Sequence, residues 1–374
     1  MYCVRAHTTG HNACSFIHNQ SMLMRIFVTV LMHVLLCPDL RGQPNDPPSF
    51  IKGVYGNPGA LLTEGHSFRS LGVNAVFVRS ISLDESLMRS AKQQGVRVYV
   101  EFPTLNGKGY VEEHPEAWPV NERGQKSPAA DWFMGVCPTD PDFRSYRMTQ
   151  LRSILSSFDV DGIWLDYLHW HAQFETPEPI LPETCFCDRC IKQFANAQDL
   201  TVPEGETAYR AHWIRSNQDS SWREWRCGIV TNWVRDIGNE ADALRPGILL
   251  GLFYCAWYPD DFDGALTRIM GIDLKALAEI ADVFSPMLFH SMMGRSVTWV
   301  KEYPAWLRSY VGPAPLIWPI VQAHNKPGMV TANEFRQVMI NGSAPPSSGI
   351  MMFSEQSLLA DDEKLLVLKL LYND

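Results

Sequence analysis

From Phe50 onward the chain alternates short β-branched or aromatic runs with segments of helical period. The runs Phe50–Gly56, Val73–Ser80 and Val96–Pro103 read as three strands, because they are apolar almost throughout and bounded by Gly, Pro or Asn. Between the second and third lies Leu83–Gln94, with apolar residues near helical spacing and Gly95 as its stop. A long Gly-, Pro- and Trp-containing loop, 104–136, follows. Asp140-Pro141-Asp142 then opens a helix, with Asp as cap and Pro in the first turn. Phe143, Arg147, Leu151, Ile154, Leu155 and Phe158 share one side of it. Val160–Trp170 is a fourth strand running into the longest loop of the chain, to about 218. Helix 221–245 carries Trp225, Ile229, Trp233 and Ile237 at a spacing of four and ends at Pro246-Gly247.

The alternation continues with less decoration. The strands Ile248–Tyr254, Val283–Phe289, Leu316–Val321 and Gly349–Phe353 precede the helices Asp273–Ile280, Val297–Tyr310, Ala332–Ile340 and Asp361–Leu371. Eight strand–helix units with apolar strands predict an α/β protein of the (β/α)8 TIM-barrel class, with long loops after strands 3 and 4. An open doubly wound sheet is the competing architecture, but no Gly-rich phosphate turn follows the first strand. There is no internal repeat beyond the βα unit and no low-complexity stretch.

Residues 1–42 read differently. Met24-Arg25 precedes the apolar run Ile26–Leu36 and Cys37-Pro38, which is the grammar of a secretory signal, with cleavage expected near Gly42. Translation starting at Met24 would account for residues 1–23, which fit neither signal nor fold. A lipoprotein site at Cys37 is the weaker reading, because Leu36 is bulky where a small residue is needed. No later stretch is long and apolar enough to span a membrane. The expectation is an exported protein, periplasmic or extracellular, with residues 43–374 as one domain.

The length of 374 residues and the 46% hydrophobic content suffice for a large core. A net charge of −9, with no Lys/Arg stripe, argues against nucleic acid as a partner. In a barrel of this class the chemistry sits at the C-terminal ends of the strands. In chain order those ends deliver Tyr55 and Asn57, Arg79, Glu101, then Asp166, Tyr167, His169 and His171. The later strands add Tyr254, Trp257, Tyr258, Asp260 and Asp261, then His290, then Gln322 and His324, then Glu355. Carboxylates and aromatic faces in one ring suit sugars, and glycoside cleavage usually needs two carboxyl groups.

Asp166 follows the apolar run DGIWL and is the first catalytic candidate, as nucleophile or base; the bland alternative is a capping Asp. Glu355, in the matching place after the eighth strand, is the candidate acid, against the reading of an ordinary rim Glu. Glu101, Asp260 and Asp261 are its rivals. Tyr55, Glu101, Tyr167, His169, His171, Trp257, Tyr258, His290 and His324 are the expected substrate-binding set. Two other functions use the same rim: a non-catalytic carbohydrate-binding barrel, and a metal-dependent hydrolase using His169, His171, His290 and His324.

Nine cysteines occur, and six fall after the leader. Cys185, Cys187 and Cys190 form one tight group, and Cys137 heads the helix before strand 4. Four thiolates can close a tetrahedral structural zinc site. Disulfides are the alternative for an exported chain, although Cys185 and Cys187 are too close to pair easily. Cys227 and Cys255 stand alone.

The blocks VCPTDPDFRSYRMTQLRSIL, from residue 136, and CFCDRCIKQF, from residue 185, resemble the β-galactosidases of glycoside hydrolase family forty-two. In that family a Cys-Pro at a helix head joins a later C-x-C-x-x-C to bind zinc. The resemblance implies zinc on Cys137, Cys185, Cys187 and Cys190, a barrel fold and sugar chemistry. The strand between the blocks departs from the family: it reads GIWLDY where the family carries an Asn-Glu pair. That form is similar to uncharacterised glycosyl-hydrolase-like barrels and to α-amylase-type and fucosidase-type barrels. In the last two an Asp after the fourth strand is the nucleophile.

Overall fold

The computed structural model describes residues 49–130 and 132–374. The expected leader, with its start at Met24 and cleavage near Gly42, lies outside the described residues.

Nine strands build one all-parallel sheet: β1 Ile51–Gly56, β2 Ala75–Arg79, β3 Arg97–Pro103, β4 Gly162–Asp166, β5 Leu249–Cys255, β6 Val283–Leu288, β7 Leu316–Ile317, β8 Ile320–Gln322 and β9 Gly349–Phe353. They run in the order β5-β4-β3-β2-β1-β9-β8-β6-β7, and β5 also pairs with β6, which closes the barrel. β7 and β8 share the seventh position, both pairing with β6. The single seventh strand expected from the sequence is interrupted at Trp318-Pro319, because a proline has no N–H to give to a ladder. The flanking ladder persists: Trp318 N–H donates to Phe284 O at 2.9 Å, and Met351 N–H to Pro319 O at 2.9 Å. The chain is a (β/α)8 TIM barrel with helices outside it.

The interior explains why the strands read as apolar runs. Trp164 on β4 stacks on Trp318 at 5.4 Å and meets Tyr99 at 4.6 Å and Phe77 at 5.1 Å. Rings of this size fit the barrel only where a neighbouring strand lacks a side chain. A Cβ at Gly251 would overlap the Trp164 indole, and one at Gly53 would lie 2.8 Å from Phe77. The buried Trp164 N–H donates to Ser285 Oγ at 2.9 Å, so that this aromatic layer leaves no polar atom of Trp164 unpaired.

The outer helices start where the caps predict. Asp84 accepts from Leu87 N–H at 2.8 Å, and Asp140 from Phe143 N–H at 2.9 Å with Pro141 in the first turn. The helix Asp219–Leu244 shows a shifted inner face. Trp222, Arg226, Val230, Trp233 and Ile237 are buried, while Trp225 and Ile229 are half-buried. A strict spacing of four drifts about 40° per step round a helix of 3.6 residues per turn, so the expected stripe walks off the buried face. The segment after β4, expected as a continuous loop, contains two helices, Asp188–Ala197 and Thr207–Asn217.

Candidate active site

At the C-terminal end of the barrel the innermost side chains are Tyr55, Arg79, Glu101, Asp166, Phe253, Met287, Ile320 and Phe353, one from each barrel position. All but Glu101 line a cavity of about 540 Å³. Its walls come from the β3 loop (Ala130, Trp132, Phe133), the β4 loop (Ala172–Pro177) and the β6 loop (Phe289, Met292), with His324, Lys326 and Pro327 after β8.

Asp166 is half-buried and opens on the cavity. One carboxylate oxygen accepts from Tyr167 N–H at 2.8 Å, and Tyr167 itself sits at φ 52, a left-handed conformation unusual for a bulky residue. Burial, then the charges of Glu101 and Glu175, push the Asp166 carboxyl well above its usual range; the Tyr167 N–H and the Arg79 charge oppose this. Glu101 lies beneath, 5% exposed, accepting from Tyr55 O–H at 2.9 Å with Arg79 Nε at 4.0 Å. Burial raises its carboxyl too, against the Tyr55 hydrogen bond and the charges of Arg79 and Arg147.

A second carboxyl on the cavity wall is Glu175, in the β4 loop. Burial pushes it up to about 7, and a hydrogen bond from the Trp132 indole N–H holds it from rising further. Sequence reasoning missed Glu175, as it missed the aromatic wall of Trp132, Phe133, Phe174 and Phe289. All lie in loops, where no periodicity assigns a direction.

The structure moves several expected site residues off the wall. Glu355 is 2% exposed at the start of the helix Glu355–Leu359 and does not line the cavity. Backbone N–H groups of Asn57, Gln356 and Glu355 hold its carboxylate over Gly56, whose missing side chain makes the room. His171 accepts from Gly135 N–H at Nδ1 (3.1 Å) and donates from Nε2 to Pro128 O (2.8 Å). It therefore clamps the β3 loop in a neutral form, its pKa lowered to about 4 by burial. Trp257 is buried against Phe174 and Phe262, and Tyr258 packs on Tyr303 and Trp306 outside the cavity. His290 contacts Glu334 at 2.9 Å away from the wall. Asp261 is taken by Arg295 at 2.7 Å, and Asp260 is exposed.

Tyr55, Tyr167, His169 and His324 do line the cavity. Burial lowers both histidines to about 4, and so keeps them neutral at pH 7. The four histidines do not gather as metal ligands; among the described residues the one group close enough to hold a metal is Cys137, Cys185, Cys187 and Cys190.

Those cysteines are free thiols, with all four sulfurs within 4.8 Å of one another. Cys137 lies 3.4 Å from Cys190 and 3.8 Å from Cys187. A tetrahedron with metal–sulfur bonds of about 2.3 Å puts its sulfurs about 3.8 Å apart, so the four can hold a metal ion. Val120 N–H donates to Cys185 Sγ at 3.3 Å, and Arg189 pairs with Asp140 at 2.8 Å beside the cluster. Cys137 ends the β3 loop and the other three belong to the β4 loop, so the cluster ties together the two loops that wall the cavity.

The fold and the site define a closed parallel barrel with a carboxyl-bearing cavity at its C-terminal mouth. No family model matches the chain, and no curated protein matches it in sequence. Its fold is similar to the glycoside hydrolase domain of PgaB (BpsB) from Bordetella bronchiseptica, with a TM-score of 0.64 and 12% identity over 85% of this chain and 98% of that one. It is also similar to the β-galactosidase of the psychrophilic Marinomonas ef1, with a TM-score of 0.63 and 12% identity over 86% of this chain. The chain spans 58% of that enzyme's length. An α-L-fucosidase from Paenibacillus thiaminolyticus follows, with a TM-score of 0.51 and 14% identity over 82% of this chain and 44% of that one.

Proposed function

We propose that the chain is an exported glycoside hydrolase that cleaves a glycosidic bond by carboxyl chemistry. The observation that carries the reading is the pair of carboxyls, Asp166 and Glu175, facing one cavity at the strand ends, both held back from ionising by burial. A barrel likeness to glycoside hydrolases agrees with it.

Asp166 is the nucleophile or base and Glu175 the acid. The anion of Asp166 has the Tyr167 N–H and the Arg79 guanidinium to support it, and positive charge developing on the sugar draws it into the ionised form. Glu175, with a pKa of about 7, keeps a proton to give to the leaving oxygen near neutrality. In the free site the Glu101 charge opposes ionisation of Asp166. Glu355, fixed by backbone amides behind Gly56, is a positioning group in this reading. The four cysteines hold a structural zinc, which closes its coordination sphere and joins the two wall loops. Arg79, Gln173 and Tyr167 bind hydroxyls of a carbohydrate substrate.

The test is cleavage of a glycan panel, with the first product anomer read by NMR. Asp166→Asn is expected to lower kcat by roughly 10²–10⁴-fold on the substrate found. Full activity in that variant ends the assignment.

A further inference from the structure

The polar groups of the cavity are unevenly placed, and their placement follows the barrel. Around one half of the circle, β1 to β4 and their loops bring Arg79, Asp166, Gln173 and Glu175 to the wall beside the rings of Trp132, Phe133 and Phe174, the mixture of hydrogen-bonding groups and flat faces that a sugar needs. Around the other half, β5, β6, β8 and β9 bring Phe253, Met287, Phe289, Met292, Ile320 and Phe353. Phe289 and Phe353 lie 5.1 Å apart, and His324 meets Phe353 edge-on at 5.1 Å, which makes an aromatic corner.

The polar side chains carried by that second half are already committed. Gln322 accepts from Ser291 and Met292 N–H (3.0 and 3.1 Å) and donates to His324 O and Lys326 O (3.1 and 2.7 Å). Ser285 accepts from Trp164, and His290 is engaged by Glu334. His324 Nδ1 is left without a partner on a ring kept neutral by burial, and Lys326 is exposed at the rim. A sugar pressed against this half would bury several hydroxyls with only the His324 nitrogen inside and the Lys326 ammonium at the rim to bond them, and each hydroxyl left unpaired weakens binding.

We propose that the cavity takes glycosides with an apolar aglycone, an aryl or compact alkyl group, with the sugar held by the β1–β4 half and the aglycone by the β5–β9 half. The inference rests on the glycoside hydrolase reading and names its substrate class. The volume of about 540 Å³ falls among small-ligand sites of about 300–1,000 Å³ and suits a sugar plus a group of similar size, not a long chain.

The experiment is titration calorimetry of the full chain with phenyl and methyl 1-thioglycosides of galactose, glucose and fucose, in both anomers. These resist hydrolysis, so binding is read without turnover. For whichever sugar binds, the phenyl form is expected to bind at least tenfold more tightly than the methyl form. In Met292→Gln, a half-exposed position that tolerates a polar side chain, that ratio is expected to fall below threefold, and in Met292→Leu to persist. Equal binding of phenyl and methyl forms, or a preference untouched by Met292→Gln, overturns the proposal. If none of these sugars binds, 1-naphthol alone is expected to bind the wild-type chain and to lose at least fivefold in Met292→Gln; no naphthol binding overturns it as well. A phenyl preference with no cleavage of the matching phenyl O-glycoside supports the apolar site and refutes the hydrolase reading on its own.

Discussion

Glu175 makes the sharpest quantitative prediction, because its carboxyl is raised from an ordinary 4.5 to about 7 by burial. A group whose folded pKa is raised gives its full stabilisation below the unfolded value and loses it as pH rises through the folded one. The wild-type protein should therefore lose stability between about pH 4.5 and pH 7. The shift is about 2.5 units, and at 1.36 kcal/mol per unit it corresponds to about 3 kcal/mol at pH 8. Glu175→Gln keeps an acceptor for the Trp132 N–H and removes the charge. Its melting temperature should match wild type at pH 4. It should exceed wild type at pH 8 by roughly 5 °C, from about 2 °C or less per kcal/mol in a chain of this size. Relief of the Asp166 carboxyl from the Glu175 charge acts in the same direction. Thermal unfolding of both proteins from pH 4 to 8 reads the effect. The same variant should lose roughly 10²–10⁴-fold in kcat, since it has no proton to donate. Equal melting temperatures at pH 8, or a less stable variant, refute the burial argument.

Cys190→Ser should drop bound metal from about one ion per chain to none by elemental analysis. If free metal stands near 1,000 times its Kd, the loss costs about 4 kcal/mol, and a chelator should destabilise wild type but not the variant. Gly251→Ala should cost about 1–3 kcal/mol in chemical denaturation, because its methyl group meets the Trp164 ring inside the barrel; an unchanged midpoint would contradict that packing. Tyr55→Phe removes the donor to buried Glu101 and should cost about 1–3 kcal/mol. With the Tyr55 bond no longer favouring its ionised form, Glu101 should titrate higher; its charge then opposes ionisation of Asp166 less, so the acid limb of the activity profile should move toward lower pH, and an unmoved limb counts against the coupling.

The barrel was legible because its signals are local. Apolar runs such as GIWLD, Asp-Pro helix starts at Asp140 and glycine stops at Gly95 are set by neighbouring residues, and the strands fall within two residues of their expected starts. The interruption at Pro319 was readable in principle, since the missing N–H is a property of one residue. Asp188–Ala197 was readable too, with Cys190, Ile191 and Phe194 buried on one face. The cavity wall was not. Strand ends point inward by parity, which located Tyr55 and Asp166, whereas Glu175, Trp132 and Phe133 depend on how two long loops fold over the mouth. His171 shows the same limit from the other side: its residue type suggested a ligand group, and its two backbone bonds make it a clamp.

The cysteine cluster links these two kinds of information. Phe133 of the β3 loop stacks on Tyr167 at 5.4 Å and on His171 at 5.5 Å, both from the segment after β4. Trp132 of the same loop donates to Glu175. These contacts of the carboxyl-bearing wall cross between the two loops that the four thiols join. Fixing two loops of this length against each other by packing alone would order many residues for few contacts, at about 1–2 kcal/mol of backbone entropy each. A four-thiolate metal site concentrates that constraint at one point away from the cavity. The desolvation that raises Glu175 is then a consequence of the brace, because opening either loop admits water to its carboxyl. Metal removal should therefore lower the Glu175 pKa toward its ordinary value, which a carboxyl-resolved NMR titration of apo and metal-loaded protein would register. A Glu175 titration that stays near 7 in the apo protein would show that the loops hold without the metal and that the cluster serves only global stability.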